Sequence, residues 1–510
     1  MIHFFNIFYT ITKYLVPLRA IFFIAVVFTF PIAKILGQDN VAEVKNRPNV
    51  VLIFTDQQHA NMLSAAGNPY VKTPAMDELA ANGVMFSESY CTSPVCGPAR
   101  SSIITGLMPH QTGVEWNGQS IKDNVVNSGE LFRSAGYQTV WAGKWHLPES
   151  YPQQSSVRNK EIKGFDLLPF WNPEEKRWFL GSETDPPLTT AVVDYLKAYK
   201  KEKPLFLSVS YHNPHDICFY PRKDGWVSPQ DSLLEIRHYG FKHKLPDVIG
   251  THPMSISPLP PLPHNHAISK DEPDFISEKR KNHDEYGVET KLANREFDDM
   301  AWKGYLNAYH RLTERVDIEI GKVLEALKTY GYWENTLIIF TSDHGDGAAA
   351  HKWAAKLSFY EEAAKVPMIV FWPGMEEKGL IDKDHAVSQI DILPTMLDYA
   401  GIETSVRFTG RSMKPLIENR TSKWRDYTVV ELADFVKDKT RKGRMVRMGA
   451  FKYNIYSTGE EQLFNIGRDS GELQNLISEP TLQHIRQQCR KNLKKWAKET
   501  NDAFAIDVLG

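Results

Sequence analysis

Cysteine is scarce in this chain. Four in 510 residues are too few for the disulfide framework of a small exported scaffold, so each is read singly. Charge of one sign is lacking too. Sixty Lys and Arg against 62 Asp and Glu leave a formal charge of −2, which gives no bulk attraction to nucleic acid or to an anionic membrane. Repeats and low-complexity tracts are absent, and 42% hydrophobic with 24% charged residues describes a globular chain able to bury a large core. The length fits one large α/β domain plus a smaller one.

No apolar run reaches the roughly 20 residues of a spanning helix. The nearest, residues 20–33, follows Lys13 and Arg19 and precedes small residues near Gly37, the pattern of a secretory signal over residues 1–37. Export to a periplasm or to the medium is the expectation, without stable membrane association; a retained anchor is the alternative. No cysteine stands near the cleavage zone to carry a lipid.

What is present is an alternation of strands and helices. NVVLIFTDQQ from Asn49 reads as a strand buried on both faces with a polar tip. The next stretch has Thr73 as N-cap, Pro74 in the first turn and Gly83 as a stop, a helix signature. The pattern recurs at 131–146, 204–215, a long helix over 305–330, 336–346 and 366–374. It predicts an α/β fold built on a large, doubly wound, mostly parallel sheet with helices on both faces. Residues 45–400 are assigned to this domain, with an irregular Pro- and His-rich excursion at 216–295 toward the substrate side. Residues 401–510 read as a C-terminal α+β subdomain with a short antiparallel sheet and a final helix carrying Cys489 on its apolar stripe.

Four strand ends are polar: Asp56-Gln57, Lys144 to His146, His212 to His215, and Asp343 to Asp346. In an open parallel sheet such tips converge on one crevice. Asp56, Gln57, Asp343 and His344 together offer oxygens and one imidazole to a divalent cation, with Ca²⁺, Mg²⁺, Mn²⁺ and Zn²⁺ all open on spacing alone. In CGPAR, Cys96 and Arg100 open a helix whose free N–H groups favour an anion, and a thiol there is expected to have a lowered pKa. A Cys91–Cys96 disulfide is the competing reading, and Cys218 sits in an aromatic loop with no clear role.

CGPAR followed by SSIITG resembles the C-x-P-x-R…T-G signature of type I sulfatases, within the alkaline phosphatase-like superfamily. The resemblance extends through the Asn49 strand, TPAMDELAANGVMF, AGKWH, Pro214-His215, TSDHGD, YEEAAKVPMIV and the tail from Glu461. It implies a sulfuric ester hydrolase in which a maturating enzyme oxidises Cys96 to formylglycine (3-oxoalanine). One hydroxyl of the hydrated aldehyde attacks sulfur to give a covalent sulfo-enzyme, and the other later expels sulfate. Arg100, Lys144 and Lys356 neutralise the sulfate, and His146 lies beside the nucleophile. His215, with Lys356, protonates the leaving oxygen, a task suited to an imidazole titrating near neutrality. Asp56, Gln57, Asp343 and His344 match the site of one Ca²⁺ ion; Gln57 stands where many members have Asp, and His344 where many have Asn. His351 is a candidate substrate contact. Trp226, His238, Tyr239, His243 and Lys244 suit a sugar, so a sulfated glycosaminoglycan or algal or mucin-type glycan is the expected substrate. Phosphonate or phosphate monoester hydrolysis on the same fold, and a catalytically silent glycan-binding protein, are the alternatives.

Overall fold

The computed structural model describes residues 47–147, 161–169, 181–219, 235–238, 241–244, 259–282, 297–418, 423–433 and 440–510, all within one compact unit, Val44–Gly510. The expected signal segment, Trp226 and Tyr239 lie outside the described residues, and for His238, His243 and Lys244 only a backbone hairpin is described.

Nine strands form the main sheet: β1 (Asn49–Asp56), β2 (Val84–Phe86), β3 (Gln138–Gly143), β4 (Glu161–Ile162), β5 (Phe165–Leu167), β6 (Leu205–Pro214), β7 (Thr336–Ser342), β8 (Met368–Phe371) and β9 (Leu380–Asp382). Their order is β9-β2-β8-β7-β1-β6-β3-β5-β4. The four central strands, β7, β1, β6 and β3, are mutually parallel. β8 runs antiparallel to both its neighbours and β4 antiparallel to β5, so the sheet is mixed toward its edges.

Alternation along β1 explains why the run is apolar throughout. Val50, Leu52 and Phe54 enter one core and Val51 and Ile53 the other, and none of the five is exposed. One core is covered by α1 (Pro74–Asn82), α3 (Gly181–Ala198) and α4 (Asp299–Thr329). The other takes Ile103 and Ile104 of α2 (Cys96–Thr105) and the helix Ile392–Tyr399. The doubly wound expectation therefore holds.

Two local expectations change. Thr73 occupies the N-cap of α1, but its hydroxyl makes no cap bond; Asp317 of α4 accepts from the Ala75 and Met76 N–H groups instead, at 3.1 and 2.9 Å. Gly83 does not stop the helix by left-handed geometry. A Cβ there would lie 2.4 Å from the Val370 carbonyl oxygen, so the residue is needed for close approach to β8.

The C-terminal sheet is antiparallel, in order β10 (Tyr427–Ala433), β11 (Lys442–Met448), β12 (Phe451–Tyr456) and β13 (Glu461–Asn465). One of its faces packs on α5 (Gln483–Thr500) through Val446, Ile455 and Leu463 against Cys489, Leu493 and Trp496. The other, through Val430, Leu432 and Met445, joins Tyr90, Cys91 and Val95 in one core, which fixes the chain immediately before α2.

Candidate active site

Because β7, β1, β6 and β3 are adjacent and parallel, their C-terminal ends share one edge. Asp343 and His344 follow β7, Asp56 ends β1, His212 lies in β6 with His215 just beyond, and Lys144 and His146 follow β3. α2 runs in from the side with Cys96 as its first residue and no side-chain cap at Val95. The Gly97 N–H donates to Asn117 Oδ1 at 2.8 Å, and the whole helix is buried.

Arg100 is the hub. Its Nε donates to Asp343 Oδ2 and one terminal nitrogen to Asp56 Oδ2, each at 2.8 Å. The other terminal nitrogen donates to the Lys144 carbonyl at 2.9 Å and to Ser210 Oγ at 2.8 Å. Lys144 Nζ joins Asp56 Oδ2 at 2.6 Å. Arg100 and Lys144 thus pair with two carboxylates at the strand tips, all four buried, and Lys356, also buried, stands 3.1 Å from Cys96 Sγ.

Each carboxylate keeps its other oxygen on the Cys96 side. Asp56 Oδ1 lies 3.8 Å from Cys96 Sγ and 4.0 Å from His344 Nε2, and Asp343 Oδ1 lies 3.6 Å from the same nitrogen. His344 Nδ1 sits 2.8 Å from the Gly345 carbonyl and is assigned as the donor, leaving Nε2 with its lone pair, 3.1 Å from Cys96 Sγ. Ligand atoms of Asp56, Cys96, Asp343 and His344 all fall within 4.8 Å of one another. Two carboxylate oxygens and a neutral imidazole nitrogen in that span fit a divalent cation.

The expected low thiol pKa at Cys96 is not what the pocket produces. Burial and then Asp56 push it up to about 12, against the opposing pull of Lys356 and Lys144, although Lys356 Nζ stands only 3.1 Å from the sulfur. A helix N-terminus lowers a thiol pKa only where desolvation and adjacent carboxylates do not outweigh it. The competing disulfide is also overturned, since Cys91 and Cys96 are both free thiols.

His146, His212 and His215 are each held well below the usual imidazole range, by burial first and by Lys144 second. His215 is therefore neutral in the substrate-free pocket, which corrects the expectation that it titrates near neutrality. Against the burial that would raise it, Asp56 is held well below the carboxylate range by the cations on its Oδ2, Lys144 and Arg100.

Gln57 has a left-handed backbone at φ 68°. Its amide Oε1 lies 3.5 Å from Lys356 Nζ and 3.1 Å from Cys218 Sγ, while Nε2 donates to Asp346 Oδ2 at 2.7 Å. His351 is placed elsewhere in its contacts. Its ring stacks on Tyr360 with centroids 3.8 Å apart, beside Asn265 and in a cluster with Glu362 and Glu472. Lys452, ion-paired to Glu361 and Glu472, balances that cluster.

Several residues of the site carried no sequence signal strong enough to single them out. Asp346, Tyr305, Tyr309, Ser210, Asn117 and Gln389 hold its parts in place, the last by donating to the Ser342 and Asp343 carbonyls. Of these, Asp346 shows in the sequence only as the last residue of a polar strand tip, with no role attached to it.

Comparison with known proteins bears on this geometry. The family model described as Sulfatase matches residues 48–402, and one described as N-sulphoglucosamine sulphohydrolase, C-terminal, matches 349–499. The chain is similar to a Delta 4,5-hexuronate-2-O-sulfatase of Bacteroides thetaiotaomicron, 29% identical with 91% of each chain covered. An arylsulfatase of Clostridium perfringens is 31% identical, over 85% of this chain and 90% of its own. A solved 2-O GAG sulfatase superposes with a TM-score of 0.74 at 27% identity, covering 90% of this chain and 93% of its own.

Proposed function

The chain belongs to the sulfatase family of sulfuric ester hydrolases, and from that premise we propose that it removes sulfate from a carbohydrate with residue 96 oxidised to formylglycine and one calcium ion bound. The observation that carries the reading is the setting of Cys96: the first residue of an uncapped helix, its sulfur 3.1 Å from both Lys356 Nζ and His344 Nε2 and 3.8 Å from Asp56 Oδ1. Burial and Asp56 disfavour a thiolate there despite Lys356 and Lys144, whereas an uncharged hydrated aldehyde meets no such penalty.

As a hydrated aldehyde, residue 96 supplies a hydroxyl that bonds to sulfur as the sulfur–sugar oxygen bond breaks, and a second hydroxyl whose deprotonation restores the carbonyl and releases sulfate. Bound calcium supplies Lewis-acid polarisation of a sulfate oxygen. Asp56, Asp343 and His344 would hold it, with Gln57 as the fourth; Arg100 and Lys144 engage the Oδ2 atoms of the two aspartates, while both Oδ1 atoms lie toward His344 Nε2. With the ion in place positive charge exceeds negative by a wide margin, which suits a bound sulfate and the charge that grows on its oxygens. Preorganised donors of this kind are worth about 10²–10³ each in rate.

Lys356 Nζ, 3.1 Å from the residue 96 sulfur, and His215 are the groups that deliver a proton to the departing oxygen. His215 takes up that proton only once sulfate adds its negative charge beside Lys144. His146 assists release. His351, packed on Tyr360, shapes the loop that carries Lys356.

The relatives named for hexuronate 2-O-sulfate and for GAG support a sulfated carbohydrate as substrate. Residues 1–37 support export, and a formylglycine-generating enzyme is the required partner. The test is mass spectrometry of the peptide spanning Cys96 from active protein, alongside turnover of a panel of sulfated mono- and disaccharides and an aryl phosphonate. An aldehyde at position 96 and preferential desulfation are expected. An unmodified thiol in fully active protein overturns the proposal, and a faster phosphonate reaction reassigns the ester.

A further inference from the structure

Asp346 is a direct hydrogen-bond partner of the Gln57 amide. Gln57 is held at φ 68°, a left-handed conformation that is strained for a non-glycine residue and persists only where its surroundings over-determine it. Three anchors do so. Its N–H donates to Asp343 Oδ1 at 3.0 Å, its carbonyl accepts from the Tyr309 hydroxyl at 2.5 Å, and its Nε2 donates to Asp346 Oδ2 at 2.7 Å. Asp346 is itself fixed by the Tyr305 hydroxyl, 2.8 and 2.9 Å from its two oxygens, and by the Ala348 N–H at 2.8 Å. Tyr305 and Tyr309 stand one turn apart on α4 and so share a face. Asp346 and both tyrosines are buried.

A glutamine amide has nearly the same shape either way round, but only its oxygen can ligate a hard cation. A carboxylate accepts and does not donate, so it selects one of the two orientations. Here the NH₂ is turned to Asp346, and Oε1 lies 3.1 Å from Cys218 Sγ and 3.5 Å from Lys356 Nζ, the ammonium that also stands 3.1 Å from Cys96 Sγ. We propose that Asp346, locked by Tyr305, is a positioning residue that sets the sense of the Gln57 amide and so presents oxygen, not nitrogen, to the cation. The inference rests on the calcium reading of the site above.

The test titrates calcium into the full chain as wild type and as D346N, Y305F, Q57E, Q57E/D346N and D343N, reading affinity by calorimetry and by the calcium-dependent rise in Tm. An asparagine at 346 offers Gln57 either end, so D346N weakens calcium binding about 10–100-fold, the usual effect of losing such a partner. Y305F shows a smaller loss in the same direction. In Q57E the new carboxylate faces Asp346, and D346N then strengthens binding by giving that carboxylate a donor. This reversal of sign is what a merely structural Asp346 does not produce.

Calcium affinity of D346N within threefold of wild type, or an equal loss in both backgrounds, overturns the proposal while D343N still shows the expected loss. Wild type that binds no calcium overturns the cation reading and this inference with it. The Q57E pair keeps the comparison decisive if D346N alone folds poorly.

Discussion

A thiol pushed up to about 12 makes a sharp kinetic prediction for protein produced without the proposed maturating enzyme, in which Cys96 is still a thiol. Relative to the ordinary value of 9.0, a value of about 12 leaves roughly a thousandfold less thiolate at about pH 8, equivalent to about 4 kcal/mol. The causes are separable. Burial dominates, Asp56 adds to it from 3.8 Å, and Lys356 at 3.1 Å opposes both. The assay follows iodoacetamide alkylation of the Cys96 peptide by mass spectrometry across pH. The midpoint is read rather than the absolute rate, because limited access slows every pH point alike. No inflection is expected below about pH 10. Asp56→Asn should move the midpoint down and Lys356→Met should move it up, with denatured protein as the reference for an ordinary thiol. A midpoint below about 9, or one indifferent to Asp56, refutes the electrostatic account of the pocket.

Three further outcomes can be measured. Arg100→Lys retains the charge but cannot satisfy Asp56, Asp343, Ser210 and the Lys144 carbonyl together, so a loss of about 3–5 kcal/mol in denaturant unfolding accompanies the loss of turnover; a change under 1 kcal/mol contradicts the hub role. His215→Ala should slow sugar sulfates, whose alkoxide leaves badly, far more than aryl sulfates with acidic phenols, and equal slowing argues against proton delivery. His110 is paired to Glu431 at 2.5 Å, and that contact raises its pKa against the burial that lowers it. A raised folded value means stability that is complete below about pH 6.5 and is lost as pH climbs through the folded pKa, so wild type and His110→Gln should differ in Tm at acid pH and converge at alkaline pH. Parallel curves remove the pair as a contributor.

The strand tips were legible because buried parallel strands announce themselves as unbroken apolar runs, and polar residues that end them can lie only at an edge. That logic led to Asp56, Lys144, His215 and Asp343. It stopped where long-range contacts decide. β8 reads like its parallel neighbours, yet pairs antiparallel, since direction is set by the connection and not by Met368–Phe371 itself. Thr73 looks like a cap, but the cap is Asp317, more than 240 residues away. Tyr305 and Tyr309 look like ordinary core aromatics of a long helix, and only the fold brings their hydroxyls to Gln57 and Asp346. The Cys96 pKa was misread for the same reason: a helix start is local, while the burial and carboxylates that overrule it are not.

The wall around residue 96 includes His344 and Lys356, the latter 260 positions further along the chain. Until that distant stretch has been synthesised and packed, the side chain stands open; afterwards it has no surface left to offer. At roughly 5–20 residues per second, a ribosome takes on the order of 13–50 s to cover the interval. If a maturating enzyme oxidises this residue, as proposed above, it acts before Lys356 and His344 close over the sulfur, and slowing that closure is a route to fuller conversion.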